Sequence, residues 1–405
     1  MTEKAHPNIR ELVLNALLMI NEEGIHSGTV MGDALDKYAR LDPRDRALFV
    51  KLIHGTLEYQ IQLDAITDRY SKVRVIRMKP VVRNLLRMSL YQILYMDKIP
   101  DSAVCDEAVK LIRKTALRDL GGFVNGVLRS IVRDKDKLEL KSPSEKYSVQ
   151  DWMYGLLCES IGKEKTEQFL EYSLSVHGIT VREAGTDNMR VIDNVGNIRE
   201  LDGWKAGRII VQDMSAATPV RLAGIREGDT VIDVCAAPGG KTIQAADKVG
   251  KNGRVIACDL TEKKILKIRE NLERMHTEHV ETFVQDAAEL RDEFVGLADV
   301  VIADLPCSGI GTISKKPEIK NRLSRDDCMA LAGLQQRILG NVSGYVRPGG
   351  KLVYSTCTLD HFENEDNVQL FLKTNPDFEL ILSQVLLPGE VPQDGFYVAV
   401  LRKNG

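Results

Sequence analysis

The apolar residues of the first 140 positions recur at helical spacing. Ile9, Leu12, Val13, Ala16, Leu17 and Ile20 fall on one stripe. The same spacing returns in ALFVKLIHGTLEYQI (47–61) and VVRNLLRMSLYQILY (81–95). Strand-like alternation is missing and Gly and Pro are sparse, so an all-α helical bundle is predicted over residues 1–140. The charged stretch RDKDKLELKSPSEK (133–146) reads as a linker, and 147–175 as one or two further helices. GITVREA, NMRVID and RIIVQD are short strand-like pieces broken by Gly and Asn, which predict a small α+β connector within 141–222.

From residue 228 strands and helices alternate. TVIDVC, RVIACD, VETFVQD, ADVVIAD, KLVYSTCT and GFYVAVLRK read as strands. KTIQAADKV, EKKILKIRENLERM, CMALAGLQQRILGNV and ENEDNVQLFLKT read as helices. Continuous apolar strands joined by helices predict a buried, mostly parallel, doubly wound α/β sheet over 223–405. Such sheets bind ligands at the carboxyl ends of their strands.

Composition changes this picture little. The start, MTEKAHPNIRE, is charged and has no signal-peptide core, and no run approaches a membrane span, so a cytoplasmic protein is expected. The seven cysteines form no C-x-x-C pair and no zinc spacing, so no metal is expected. Net charge is −3, but residues 1–142 carry +5 and the remainder −8. Between Arg69 and Arg87 lie seven bases and no acid: Arg69, Lys72, Arg74, Arg77, Lys79, Arg83 and Arg87. Clustered cations attract phosphates, though a solvated helix face has the same composition.

The first α/β strand runs into VIDVCAAPGGKT (231–242). Ala236, Ala237, Gly239 and Gly240 let the backbone approach a ligand, and a helix starting near Gly240 offers N–H groups to a carboxylate. Asp259, at the end of the second strand, is placed for ribose hydroxyls. Asp286 ends the third, where an adenine would lie. The spacing is neither G-x-G-x-x-G nor a P-loop, since Pro238 interrupts the turn. A ligand with ribose, adenine and carboxylate but no phosphate fits, which describes S-adenosylmethionine.

Two further strands end in ADLPCSGIGTISKKPEIK, with Asp304 and Cys307, and LVYSTCT, with Cys357. Two edge thiols beside a methyl donor suggest covalent chemistry, with inert packing as the alternative. Carbon 5 of cytosine is a weak nucleophile. A thiolate adding to carbon 6 makes it electron-rich enough to accept a methyl. Lys315, Lys316 and Lys320 follow the Asp304 loop as candidate cations to favour a thiolate. Asp304 could hold the base by its ring nitrogen and exocyclic amine.

VIDVCAAPGGKT, ADLPCSGIGTISKKPEIK and LVYSTCT resemble the signature motifs of the Sun-type RNA cytosine-C5 methyltransferase family. The resemblance implies a Rossmann-like class I methyltransferase domain over 223–405, Cys357 as nucleophile, and Cys307 assisting release from the methylated base. It implies cofactor and base contacts by Cys235, Ala236, Ala237, Pro238, Gly239, Gly240, Lys241, Asp259, Asp286 and Asp304. RDRALFVKLIHG (44–55), LLRMSLYQILY (85–95) and FVNGVLR (123–129) resemble the antitermination factor NusB. NusB-like helices ahead of this catalytic domain are the arrangement of the subgroup that modifies cytosine 967 of 16S rRNA. The partner implied is therefore 16S rRNA, free or partly assembled, with no membrane and the protein a monomer. The sequence departs from the family at Arg182-Glu183-Ala184 and in a connector roughly twenty residues short, a loop-type difference. A different target RNA, a non-catalytic RNA-binding protein and a nicotinamide oxidoreductase are the other readings. The last lacks the glycine fingerprint.

Overall fold

A computed structural model describes residues 7–175, 177–193, 197–389 and 392–405. The first six residues of MTEKAHPNIRE lie outside that set. Two compact units emerge. One holds the residues up to Gly155 together with Ser314–Arg322; the other holds Leu156–Ile313 and the chain from Leu323 onwards.

The first unit is the expected helical bundle. Its main helices are Ile9–Glu23, Ser27–Lys37, Pro43–Glu58, Gln60–Tyr70, Pro80–Tyr95, Asp101–Arg113 and Gly121–Arg133. The stripe of the first helix is its core face: Ile9, Val13, Ala16, Leu17 and Ile20 are buried, and Leu12 packs beside them. Helices Pro43–Glu58 and Pro80–Tyr95 approach closely at Gly55, where a Cβ would stand 2.0 Å from the Tyr91 ring. Only glycine permits that approach.

Two expectations change here. The charged stretch 133–146 is packed rather than a loose linker. Arg69 pairs with Glu145, the Gln62 amide donates to the Glu145 carbonyl (2.9 Å), and Ser144 and Tyr147 are buried. Polar partners on helix Gln60–Tyr70 give this charged segment somewhere to dock, which composition does not reveal. The basic run is also partly paired, and Arg74 lies 3.6 Å from Asp68. Arg87 is buried and bidentate to Asp64 (2.7 and 2.6 Å), and Arg83 bonds Glu22 (2.7 Å). Lys72, Arg74, Arg77 and Lys79 remain exposed on a loop with Ile76 at its surface.

Segment Ser314–Arg322 is built into the same unit. Glu318 accepts from the Ser27 N–H (3.2 Å) and hydroxyl (2.8 Å). The Arg322 guanidinium donates to the carbonyls of Ile20, Gly24 (2.9 Å) and Ile25 (2.8 Å), satisfying the carboxyl end of the first helix.

The second unit carries two sheets. In the small one β1 (Ile179–Glu183) pairs antiparallel with both β2 (Met189–Ile192) and β3 (Ile209–Val211). The large sheet has β4 (Thr230–Asp233), β5 (Arg254–Asp259), β6 (Val280–Val284), β7 (Ala298–Asp304), β8 (Val346–Thr356), β9 (Phe378–Leu386) and β10 (Phe396–Lys403). Their order is β6-β5-β4-β7-β8-β10-β9, parallel from β6 to β8, with β10 antiparallel to both neighbours. The fold is thus a helical bundle followed by a Rossmann-like sheet. The strand order reverses between β4 and β7, the place where doubly wound sheets bind ligands.

Strands β5 and β7 match their predicted residues. Strand β9 has no counterpart in the sequence reading. It is an edge strand with Leu380 and Ile381 exposed, so no two-sided apolar run marks it. Helix Met214–Ala223 was hidden by Pro219 and small residues. Strand β8 starts five residues early, because Pro348-Gly349-Gly350 reads as a turn but forms an irregularity in the β7–β8 pairing. No helix among the described residues is long and apolar enough to cross a membrane.

Arg182, where the sequence departs from the family motif, is fully buried in β1. Its Nε donates to Gln212 (2.9 Å), and its Nη1 to the Thr186 carbonyl (2.9 Å) and Asp247 (2.7 Å). Asp247 lies on helix Gly240–Val249, so the small sheet braces the helix that opens the candidate cofactor site. Arg182→Met should lower stability by about 2–3 kcal/mol, since it leaves a partly buried carboxylate unpaired. Urea unfolding followed by circular dichroism measures the loss.

Candidate active site

The turn after β4 is held by its own backbone and by one acid. The Ala236 N–H donates to the Cys258 carbonyl (2.9 Å) and the Gly239 N–H to the Ala236 carbonyl (2.7 Å). Gly239 has φ 105°, left-handed backbone that favours glycine, and caps helix Gly240–Val249. Asp259 Oδ2 accepts from the Ala237 N–H (3.0 Å), while its Oδ1 accepts from the Leu260 N–H (2.7 Å) and pairs with Lys264 (2.8 Å). The buried Asp259 therefore fixes the turn. Asp286, two residues past β6, is exposed and caps the Ala288 N–H (2.9 Å). Cys235 is half-buried, and burial followed by the nearby carboxylates Asp259 and Asp233 pushes its thiol up. Pro238 stands exposed on the turn and Gly240 is half-buried.

Asp233, the last residue of β4, was not singled out from sequence. One oxygen accepts from the Thr242 hydroxyl (2.7 Å), and the other is buried with no hydrogen-bond partner. Burial pushes its carboxyl up to about 7. An acid closing an otherwise apolar strand was the available signal. A half-satisfied buried carboxyl beside a turn of small residues fits a polar, phosphate-free ligand. The residues present thus suit the amino acid and ribose groups of S-adenosylmethionine.

The chemistry-bearing residues meet at the ends of β7 and β8. Parallel pairing sets Asp304 opposite Ser355. The Ser355 hydroxyl donates to Asp304 Oδ1 (2.8 Å), and Lys241 Nζ bonds Asp304 Oδ2 (2.7 Å). Just beyond, the Cys307 and Cys357 sulfurs lie 3.3 Å apart, and the Cys357 N–H donates to the Cys307 sulfur (3.3 Å). Both residues are half-buried. All seven cysteines are thiols.

The two sulfurs are not equivalent. Its hydrogen bond to Cys357, then burial, then the charges of Cys357, Glu363 and Asp304 push the Cys307 thiol well above the usual range. Burial alone would lower the Lys241 ammonium, but facing Asp304, then Asp233 and Cys357, raise it, so Lys241 stays charged. It also lies 5.4 Å from the centre of the Phe396 ring.

Lys241 is thus a cation at this site. Lys320 is not: it is buried in the helical unit, where burial pushes it down to about 8 and Glu58 is its charged neighbour. Lys315 and Lys316 are exposed. The carboxylates of Asp360 and Glu363 and the Cys328 thiol cluster within 4.8 Å, all buried. Burial raises all three, Glu363 to about 7 and Cys328 to about 12, which favours protons over a cation there.

The Cys357 loop is seated against backbone. The Gly311 N–H donates to the Cys357 carbonyl (3.0 Å), and the Gly395 N–H donates to the Gly311 carbonyl (2.9 Å). A Cβ on Gly311 would stand 1.8 Å from the Gly395 carbonyl oxygen and 2.9 Å from that of Cys357.

A family model described as 16S rRNA methyltransferase RsmB/F matches residues 221–402, and the NusB family model matches 7–133. The probable ribosomal RNA small subunit methyltransferase B of Bacillus subtilis is 30% identical, over 98% of this chain and 99% of its own. The ribosomal RNA small subunit methyltransferase B of Vibrio cholerae is 30% identical over 98% of both chains. Among solved structures, that of PH0851 matches 99% of this chain and 100% of its own, with TM-score 0.82 and 23% identity, a likeness of fold.

Sulfurs 3.3 Å apart should be oxidised together. A dipyridyl disulfide should convert Cys307 and Cys357 into one intramolecular disulfide, with the loss of two hydrogens, mapped by peptide mass spectrometry. Gly311→Ala should lower the yield severalfold by displacing the Cys357 loop. An unchanged yield would mean that Gly311 does not set the spacing.

Proposed function

Because the chain belongs to the RsmB/F family of methyltransferases, and uses S-adenosylmethionine, we propose that it methylates carbon 5 of a cytosine in 16S rRNA through a transient bond between that base and Cys357. The observation that carries this reading is the thiol pair of Cys307 and Cys357 beside the Lys241–Asp304 ion pair. The target is the cytosine 967-type site, in free or partly assembled RNA, and the enzyme works in the cytoplasm as a monomer. The curated relatives named above are small subunit rRNA methyltransferases.

When bound, S-adenosylmethionine supplies a methyl group on a positively charged sulfur. The small residues Ala236, Ala237, Gly239 and Gly240, with Cys235, Pro238, Asp259 and Asp286, line its place. Asp233 offers an unpaired oxygen to it. The Asp304 carboxylate holds the cytosine by accepting from its exocyclic amine, and Lys241 fixes that carboxylate by its ion pair. The base must leave its stack to present its face to a sulfur, so the substrate is unpaired or flipped.

Cys357 gives up its proton to water and the resulting thiolate forms a bond to carbon 6. The ring electrons move onto carbon 5, which takes the methyl as the bond from that methyl to its donor sulfur breaks and leaves its electron pair on the sulfur. The carbon 5 proton then passes to water, the carbon 6–sulfur bond breaks, and the electron pair returns to Cys357. Cys307, protonated 3.3 Å away, donates a hydrogen bond to the departing sulfur and eases its expulsion. A thiol that kept its own negative charge would repel that thiolate instead.

The helical unit supplies RNA affinity and the sheet supplies chemistry. The three-part division into NusB-like residues 1–140, connector 141–222 and methyltransferase 223–405 follows these roles. Within the helical part, the exposed loop carrying Lys72, Arg74, Arg77 and Lys79 is the proposed phosphate contact.

Cys357→Ala should abolish methylation, read as tritium transfer from labelled cofactor. Cys307→Ala should trap a covalent RNA–protein adduct that survives a denaturing gel. Normal turnover by Cys357→Ala would refute the mechanism. A separate measurement addresses the loop. Arg77→Glu with Lys79→Glu should weaken RNA binding about tenfold and reduce the salt dependence of log Kd by about two phosphate contacts. An unchanged slope would remove the loop from the interface.

A further inference from the structure

The two cysteine loops rest on a pair of adjacent buried side chains that the mechanism above does not use. Glu363 is fully buried, and its Oε2 accepts from the Ser308 N–H (3.0 Å) and from Gln335 Nε2 (2.8 Å). The same Gln335 nitrogen donates to the Pro306 carbonyl (2.9 Å). Both residues flanking Cys307 are therefore held through Glu363 and Gln335.

Asn364 does the same for the other thiol. Its Oδ1 accepts from the Thr356 hydroxyl (2.6 Å), and its Nδ2 donates to the Thr358 carbonyl (3.1 Å). Those are the residues on either side of Cys357. The hydroxyls of Ser308 and Thr358 are 2.7 Å apart and join the two loops. The framework is closed from below: the Tyr354 hydroxyl bonds the Glu363 carbonyl and Gln335 Oε1 (3.1 Å), and Asn367 Nδ2 donates to Gln335 Oε1 (2.7 Å).

We infer that Glu363 and Asn364 are positioning residues with separate duties, Glu363 aiming Cys307 for release of the product and Asn364 aiming Cys357 for attack on the base. The inference rests on the roles proposed for the two thiols. Asn364 fixes one sulfur by bonding both chain neighbours of Cys357, Glu363 fixes the other by bonding Ser308 and the Gln335 amide that holds Pro306, and neither needs to touch the substrate. A hydrogen-bonded polar network holds such geometry even though Glu363 Oε1 itself is buried without a partner, whereas a loop fixed at one end would let its sulfur swing.

Separate duties give separate defects. In a single turnover with tritiated S-adenosylmethionine and 16S rRNA, Asn364→Ala should slow methyl transfer about tenfold or more and accumulate no adduct. Glu363→Ala should transfer its first methyl near the normal rate, then stall as a covalent RNA–protein adduct, with multiple turnover down about tenfold. Glu363→Gln retains an acceptor for the Ser308 N–H and should release product better than Glu363→Ala. If the alanine variants fail to fold, Asn364→Asp and Gln335→Met test the same two arms. The first loses the bond to the Thr358 carbonyl and should slow transfer; the second loses the bond to the Pro306 carbonyl and should trap adduct.

A uniform loss in both arms, with no adduct in the Glu363 or Gln335 variants, would reduce these residues to general stability and overturn the inference. Cys307→Ala run alongside separates the two levels. If it traps adduct and Glu363→Ala does not, only the positioning role fails. If it traps none, the release role of Cys307 fails first.

Discussion

The structure turns on a contact between two sulfur atoms from neighbouring strands. Parallel pairing of β7 with β8 sets Asp304 opposite Ser355, and the chain then carries Cys307 and Cys357 past the strand ends to a separation of 3.3 Å. A shift of one residue in this register would turn the side chains to opposite faces and part the pair. Both strands are buried on their two faces, which is what holds the register. Gly311 then closes the loop against Cys357 with a backbone contact that no other residue permits.

Electrostatics divides the labour that geometry makes possible. Two like thiols side by side cannot both ionise, so the proton stays with one of them. Glu363 and Asp304 add to the effect at Cys307. Lys241, kept charged by Asp304, supplies the compensating positive charge. The proposed mechanism assigns one sulfur to attack and the other to donate. The cofactor turn stands on the adjoining strands β4 and β5, braced by Asp259 from within and by Arg182 through Asp247 from behind.

Much of this was legible in the sequence, for definite reasons. Strands β5 and β7 could be read because burial on both faces leaves an apolar run, and the acids that end them interrupt it. Cys307, Cys357 and Asp304 could be read because they follow such runs. What escaped was whatever depends on partners distant in sequence. Lys320 looked like a cation for the thiols, yet it is buried in the helical unit near Glu58. The run from Arg69 to Arg87 looked like open positive charge, but Asp64 and Glu22 neutralise part of it. Glu363 and Asn364 looked like the polar start of a helix, and only the fold brings them beneath both cysteines. Strand β9 gave no pattern because an edge strand need not be apolar.

The central claim is that Cys357, and not its neighbour, bonds to the base. RNA carrying 5-fluorocytosine tests it directly, because the fluorine cannot leave as a proton does and the adduct should persist in the unmodified enzyme. Mass spectrometry of the digested complex should then find the methylated nucleotide on the peptide that contains Cys357. Attachment at Cys307, or methylated RNA with no attachment to protein, would contradict the account.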